Sequence, residues 1–258
     1  MSDRAVHRTI EVASLRAWPA IEESDLRGWI LRCSQGFTGR ANSVQSLQDA
    51  AESSAGAVSE ISLEERVTAC ERWYEERGQT SLFRMTPFSE PGLDEYLEER
   101  GYEPFNRTVV LFRAASGVPP EMPYVELVEV ELHEWLGRYA GFTGMPATPA
   151  PMRHIIEKSA GRALTGLLRA GQPERAVACG LAVLDEGLLG LFDLVVEPSE
   201  RRKGYGDELV RRLVAWGSGH GARLVYLQVT LDNEPALALY DKLGFERAYE
   251  YWYRVPRS

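Results

Sequence analysis

The sequence predicts an α/β protein of two tandem units, each a mixed, mostly antiparallel central sheet flanked by helices. Three observations predict it. In the C-terminal half, apolar runs of strand character alternate with stretches of helical period. A glycine-punctuated turn stands between a nearly all-apolar run and an amphipathic helix. The end of the N-terminal half, PGLDEYLEERGYEPFNRTVVLFRA (residues 91–114), echoes the end of the chain, PALALYDKLGFERAYEYWYRV (residues 235–255).

In the first half, LEERVTACERWYEERG (residues 63–78) reads as a helix and SLFRMTPF as a strand, ahead of the short helix and strand of 91–114. Ser62 and Glu65 have capping-box spacing, an ordinary helix start. Residues 41–60 are small and polar and predict a long loop or excursion. Residues 114–123, AASGVPPEMP, read as a linker, which sets domain boundaries of 1–118 and 119–258.

In the second half, YVELVEV (residues 124–130) is strand-like, and 132–139 and 152–159 read as helices. RAVACGLAVLDEG and GLLGLFDLVVEP are two apolar strands around a turn at Asp185, Glu186 and Gly187. The second run has the composition of a strand buried on both faces. A helix over 204–216 carries Leu209, Val210, Leu213 and Val214 on one stripe, with Gly217 and Gly219 suited to its C-cap. A strand (223–231), a short helix (235–243) stopped by Gly244, and an aromatic strand (248–255) complete the chain.

Composition narrows the function. Hydrophobic residues are 44% and charged residues 26% of 258, enough for a real core and unlike a disordered chain. Lys and Arg number 29 against 38 Asp and Glu, a net charge of −9 that disfavours general nucleic-acid binding and favours cationic partners such as protonated amines. The three cysteines, Cys33, Cys70 and Cys179, form no CxxC pair, so neither a disulfide framework nor a structural zinc site is expected. His154 and Glu157 have ligand-like spacing but no third partner, so no metal is expected. The N-terminus lacks an apolar h-region, and no window approaches the ~18 apolar residues of a membrane span. The expected location is the cytoplasm, without a membrane partner, as monomer or homodimer.

The chemistry lies in VVEPSERRKGYGDELV (residues 195–210), whose centre is Arg201-Arg202-Lys203-Gly204-Tyr205-Gly206. Its two glycines permit a tight turn, and the turn's amides run into a helix N-terminus with about half a positive charge, a site suited to phosphate. Arg201, Arg202, Lys203, Arg211 and Arg212 against Asp207 and Glu208 make a local positive knot, for which a polyphosphate ligand supplies a reason. Neither a P-loop nor a Rossmann fingerprint is met. The cluster Gly217-Ser218-Gly219-His220-Gly221 follows a helix and reads as its end.

With Val196 and Pro198, the R-x-x-G-x-G turn, and then Asn233, Ala236, Leu239, Tyr240, Gly244 and Phe245, residues 125–255 resemble the GCN5-related N-acetyltransferases (GNAT family), which move acetyl from acetyl-CoA to amines. The whole chain resembles the tandem members of that family in which the N-terminal copy has degenerated, and RGWILRCSQGFTGRANSV (residues 27–44) is similar to a segment of those proteins. The resemblance implies acetyl-CoA as acyl donor. It also implies pantetheine against the strand bearing Leu194, Val195 and Val196, and diphosphate on the turn from Arg201 and Arg202 through Lys203, Gly204, Tyr205 and Gly206 to Asp207. Asn233 would contact the donor or an ordered water, and Tyr240 would protonate the leaving thiolate. The alternative for Tyr240 is a core aromatic.

An acceptor amine of pKa ~10.4 is neutral about once in 2,500 at pH 7, a barrier of roughly 4.6 kcal/mol unless a base or the site's field removes its proton. The oxyanion needs preorganised donors, for which the amide of Val195 or Val196 is the candidate. A tyrosine of pKa ~10 is matched to a thiol of ~8.5–10. The related ribosomal-protein alanine acetyltransferases carry a glutamate where this chain has Gln228, which cannot act as base. Asp193, in an otherwise apolar strand, is the remaining carboxylate, with proton relay and a structural role both open.

The N-terminal copy reads differently. AGAVSEISLEER has one glycine and no cationic cluster, and Glu60, Glu64 and Glu65 would repel phosphate. This copy is expected not to bind CoA, and Tyr96, which matches Tyr240, is expected to help form the substrate cleft. The function expected is acetyl transfer to a primary amine of a small metabolite by direct attack. The alternative is a non-catalytic CoA-binding or sensing module, which Gln228 favours.

Overall fold

A computed structural model describes residues 3–47, 62–117, 119–145, 147, 149–171 and 173–257. In chain order the elements are α1 (Asp3–Ala17), β1 (Glu22–Leu26), β2 (Trp29–Cys33), β3 (Val44–Gln45), α2 (Leu63–Glu75), β4 (Phe83–Met85), α3 (Leu93–Glu99) and β5 (Tyr102–Ala114). Then follow β6 (Glu126–Glu129), α4 (Leu132–Thr143), α5 (Ala150–Glu157), β7 (Arg162–Ala170), β8 (Arg175–Asp185), β9 (Leu188–Val196), α6 (Tyr205–Gly219), β10 (Leu224–Thr230), α7 (Glu234–Lys242) and β11 (Glu246–Pro256). No helix among the described residues is long and apolar enough to cross a membrane.

The α/β expectation holds, with mixed sheet in both compact units. One unit joins Met1–Pro19 to Val110–Ala248, and the other joins Ala20–Val109 to Tyr249–Ser258. Compactness therefore does not follow a single cut at 118/119. The dividing lines fall inside the long strands β5 and β11, and α1 groups with the C-terminal unit.

In the larger unit the strand order is β5-β10-β9-β8-β7-β6. β6 to β9 are antiparallel neighbours, and β10 joins β9 in parallel. The β8–β9 turn places Glu186 (φ 50°) and Gly187 (φ 83°) in the left-handed region, as a two-residue hairpin of matching twist requires. α6 buries the stripe Leu209, Val210, Leu213 and Val214. It runs on through Gly217 to Gly219, so Gly217 is no cap. A side chain there would collide with Leu189 of β9, and glycine lets helix and sheet close up. α1, to which the sequence analysis assigned no element, buries Ile10, Ala13, Ser14 and Ala17, a stripe too narrow and too small to stand out among its charges.

In the smaller unit the order is β1-β2-β3-β4-β11, with β3 and β4 parallel. Its core packs Trp29, Leu31, Val67, Cys70, Tyr74, Phe83, Met85, Leu93 and Leu97 between α2, α3 and the sheet. α2 opens on the expected capping box. Ser62 Oγ accepts from the Glu65 N–H at 3.2 Å, and the Glu65 carboxylate accepts from the Ser62 N–H at 2.9 Å.

Two expectations need revision. Of the stretch 41–60, residues 48–60 lie outside the described residues, while 41–46 are buried and contain β3 rather than a loop. Asn42 explains the order there, accepting from the N–H groups of Ser34 and Gly36 and donating to the carbonyls of Phe37 and Thr38. The linker is also no free spacer, because residues 119–122 are tied to α6 by the contacts described below.

Candidate functional site

β9 and β10 are paired from Leu188↔Leu224 to Leu191↔Leu227, and no pairing between them continues beyond that point among the described residues. β9 stays with β8 as far as Val196, and β10 runs on through Gln228 to Thr230, so the two strands part. At the parting β9 bulges. The β8–β9 register shifts between Cys179 and Leu181, and Asp193 takes φ 49°. Gly180 of β8 permits this, since a Cβ there would meet Leu194 Cδ2 at 2.7 Å, and its carbonyl accepts from the Trp135 indole at 3.1 Å. Asp193, Leu194, Val195 and Val196 are all half-buried along this segment. Burial, and then the nearby Asp193 carboxylate, push the Cys179 thiol up to about 12.

A 3-10 turn (Pro198–Glu200) follows β9, and α6 begins at Tyr205 with Gly204 as N-cap at φ 85°. Arg202 is also left-handed, at φ 62°. No side chain caps this helix, and its first backbone bond runs from the Glu208 N–H to the Gly204 carbonyl. The N–H groups of Tyr205, Gly206 and Asp207 thus have no intrahelical acceptor. A methyl group added at Gly206 would stand 3.5 Å from Leu239 Cδ2 and 3.6 Å from Val196 Cγ2, so the end of β9, the start of α6 and the inner face of α7 converge at this glycine.

The charges are arranged differently from a simple positive knot. Lys203 donates to Glu200 at 2.9 Å, and Arg175 also pairs with that glutamate. Arg211 pairs with Asp207 and with Glu121, and Arg212 pairs with Glu208 at 2.6 Å. Lys242 takes the other Asp207 oxygen, and although burial opposes it, Lys242 and Arg211 hold the Asp207 carboxyl below its usual range. Asp207 and Lys203 therefore have structural side-chain partners. Arg201 and Arg202 are exposed and form no ion pair among the described residues.

Asn233 caps α7, its side chain accepting from the Ala236 N–H at 3.3 Å. About two turns on, Tyr240 is 8% exposed and packs edge-on against Phe245 at 5.7 Å. Burial pushes its phenol up to about 12. That changes the expected match to a thiol, because the hydroxyl keeps its proton more firmly than a free tyrosine does.

The sequence analysis missed the tie between residues 119–122 and α6. Glu208, 1% exposed, accepts from the N–H groups of Glu121 at 2.8 Å and Met122 at 3.2 Å. Arg212 donates to the Met122 carbonyl at 2.8 Å, and Arg211 to the Pro119 carbonyl at 3.2 Å. Only the i, i+4 spacing of Glu208 and Arg212 was visible in the sequence. No group of three or more metal-ligating side chains occurs among the described residues.

Known proteins share the sequence pattern and the fold of this chain. The family described as "Probable histone acetyltransferase Rv0428c C-terminal" matches residues 5–254. An uncharacterized N-acetyltransferase of Bacillus subtilis, YobR, is 28% identical over 256 residues, covering 97% of this chain and 98% of its own. A GCN5-related N-acetyltransferase from Kribbella flavida superposes with a TM-score of 0.68 at 15% identity, covering 100% of this chain and 96% of that one. A tandem GNAT protein from the clavulanic acid biosynthesis pathway gives a TM-score of 0.58 at 14% identity, over 76% and 70% of the two chains. The fold is thus that of the GCN5-related N-acetyltransferases, and with a family match across nearly its whole length, the chain belongs to the Rv0428c C-terminal acetyltransferase family.

Proposed function

We propose that this acetyltransferase uses acetyl-CoA to acetylate a primary amine of a small metabolite, with the chemistry confined to the unit that contains β9, α6 and α7. The observation that carries the reading is the uncapped start of α6, opening beside the strand edge where β9 leaves β10. The donor supplies an activated acetyl thioester. The amides of Gly204, Tyr205, Gly206 and Asp207 bind its diphosphate, aided by the exposed guanidinium groups of Arg201 and Arg202. The main chain of Leu194, Val195 and Val196 binds the pantetheine arm as a further strand would, and one of these amides donates to the acetyl oxygen. Asn233 fixes the start of α7 and with it Tyr240.

Tyr240 then faces the departing sulfur as a hydrogen-bond donor. With its phenol near 12, complete transfer to an ordinary thiolate of pKa ~8.5 is uphill, so a strong hydrogen bond carries most of the stabilisation. Asp193 relays the amine proton. Asp193→Asn is expected to lower kcat at pH 7 and to recover as pH approaches the amine's own pKa, while a pH-independent loss assigns Asp193 to the bulge alone. The net charge of −9 suits a cationic acceptor. The smaller unit binds no CoA, because its helix start at α2 is closed by its own capping box.

Isothermal titration with acetyl-CoA tests the donor, and mass spectrometry for +42 Da products across an amine library tests the acceptor. Absence of binding to the wild-type protein ends the proposal. Binding without any product would leave a CoA-sensing module.

A further inference from the structure

Residues 119–122 are held more firmly than a connection between two elements requires. Both main-chain groups of Met122 are engaged by α6, its N–H by Glu208 and its carbonyl by Arg212. Glu208 is almost wholly buried, and a buried carboxylate is tolerated only when its oxygens are satisfied. Here one oxygen takes the N–H groups of Glu121 and Met122, and the other takes Arg212. The two clamping residues stand one turn apart on the helix whose first amides form the anion turn. Clamped in this way, the Met122 side chain reaches the turn itself, and its Cε lies 2.7 Å from where a Cβ on Gly204 would stand. Gly204 is thus required twice, by its left-handed backbone and by the methyl group against it.

We infer that Met122 is a donor-binding residue, the apolar wall of the diphosphate turn, and that Glu208 and Arg212 are its positioning residues. The inference rests on the acetyl-CoA reading above. A thioether methyl packed on Gly204 excludes water from one side of the turn. The amide-to-phosphate hydrogen bonds then act in a lower dielectric and are individually stronger. A thioether suits the place because it is flexible and polarizable and adds no charge to compete with the phosphates.

The experiment is titration of the full chain with acetyl-CoA, alongside Met122→Ala and Glu208→Gln, with the steady-state rate of any found substrate. Met122→Ala is expected to raise the Kd for acetyl-CoA about fivefold or more, and the KM for the donor with it, as loss of the apolar wall of the turn predicts. Glu208→Gln is expected to raise it similarly, and the double variant no further, because both act through one side chain. Hydrogen exchange on the wild type gives a readout independent of folding of the variants, and the Glu121 and Met122 amides are expected to slow when acetyl-CoA is added. If the wild type binds but Met122→Ala binds within about twofold of it, or those amides exchange unchanged, the inference is overturned while the donor assignment stands. If the wild type does not bind, the donor assignment falls first.

Discussion

The starts of α2 and α6 occupy matching places in the sequence pattern and are finished in opposite ways. At α2, Ser62 and Glu65 turn on each other, the Ser62 hydroxyl accepting from the Glu65 N–H and the Glu65 carboxylate from the Ser62 N–H. At α6, Gly204 has no side chain to offer, and the acids of the first turn point elsewhere, Asp207 to Arg211 and Lys242 and Glu208 to Arg212 and the 119–122 segment. Both helices have the same dipole. One spends it on its own carboxylate, and the other keeps it available for a ligand. A helix N-terminus is therefore not a binding site by virtue of being a helix. What decides is where the carboxylates nearest its amides are tied.

The largest test of this contrast is to give α6 the chemistry of α2. Gly206→Glu puts a carboxylate within reach of amides that have no intrahelical acceptor, and its Cβ has room, with nothing nearer than 3.5 Å. Acetyl-CoA affinity is expected to fall at least on the order of 100-fold, the work of one misplaced charge at a phosphate site. Titration calorimetry reads it directly. Near wild-type binding would mean that the diphosphate lies elsewhere. Arg202→Glu is expected to act in the same direction with a smaller effect, since that guanidinium is exposed and screened.

Next in size is Tyr240→Phe, which removes a single donor while keeping the ring against Phe245. A loss in kcat on the order of 100-fold with unchanged KM is expected for a group acting only as sulfur departs. Because burial holds the phenol near 12, the wild-type rate should show no alkaline decline from this residue below about pH 11. A clear decline with an apparent pKa near 10, absent in the phenylalanine variant, would overturn the burial argument. The same sign governs stability in both units. Tyr240 and Cys179 in one, and Cys70 in the other, have folded values near 12, above their unfolded ones, so the folded chain binds more protons in alkali. Stability from these groups is full below about pH 8.5 and is lost as pH rises from there through 12, which alkaline unfolding followed by circular dichroism would register.

Much of the fold was legible because its signals are local. The β8–β9 turn, the apolar stripe of α6 and the capping box of α2 each sit within a short window, and all are found as expected. The charge of the phosphate turn was misread for the opposite reason. Five cations against two acids looked like five free charges, yet Glu200, just outside the window counted, takes Lys203, Glu121 from a distant part of the chain takes Arg211, and Arg212 is spent on Glu208, which leaves Arg201 and Arg202 exposed. The bulge at Asp193 was invisible because it depends on what β8 places opposite, a glycine at 180 and the indole of Trp135 behind it. Gly217 carried a helix-end signal that packing against Leu189 overrode.

The smallest expected effect is also the cleanest control. Ser62→Ala removes the acceptor for the Glu65 N–H and breaks the reciprocal arrangement, leaving the amides of α2 to water. Loss of such a cap costs ~1 kcal/mol, which for a chain of this size lowers Tm by roughly 2–4 °C. If the smaller unit were a CoA site merely blocked by its cap, Ser62→Ala combined with Glu65→Ala would create a second acetyl-CoA site in the titration. The stoichiometry is expected to remain one. α2 opens on Leu63 and Glu64 and has no left-handed glycine at its N-cap, so uncovering its amides exposes a dipole without the turn that would let a diphosphate approach. A second site in that variant would show that the cap alone separates the two helix starts, and that the glycines of the α6 turn are dispensable.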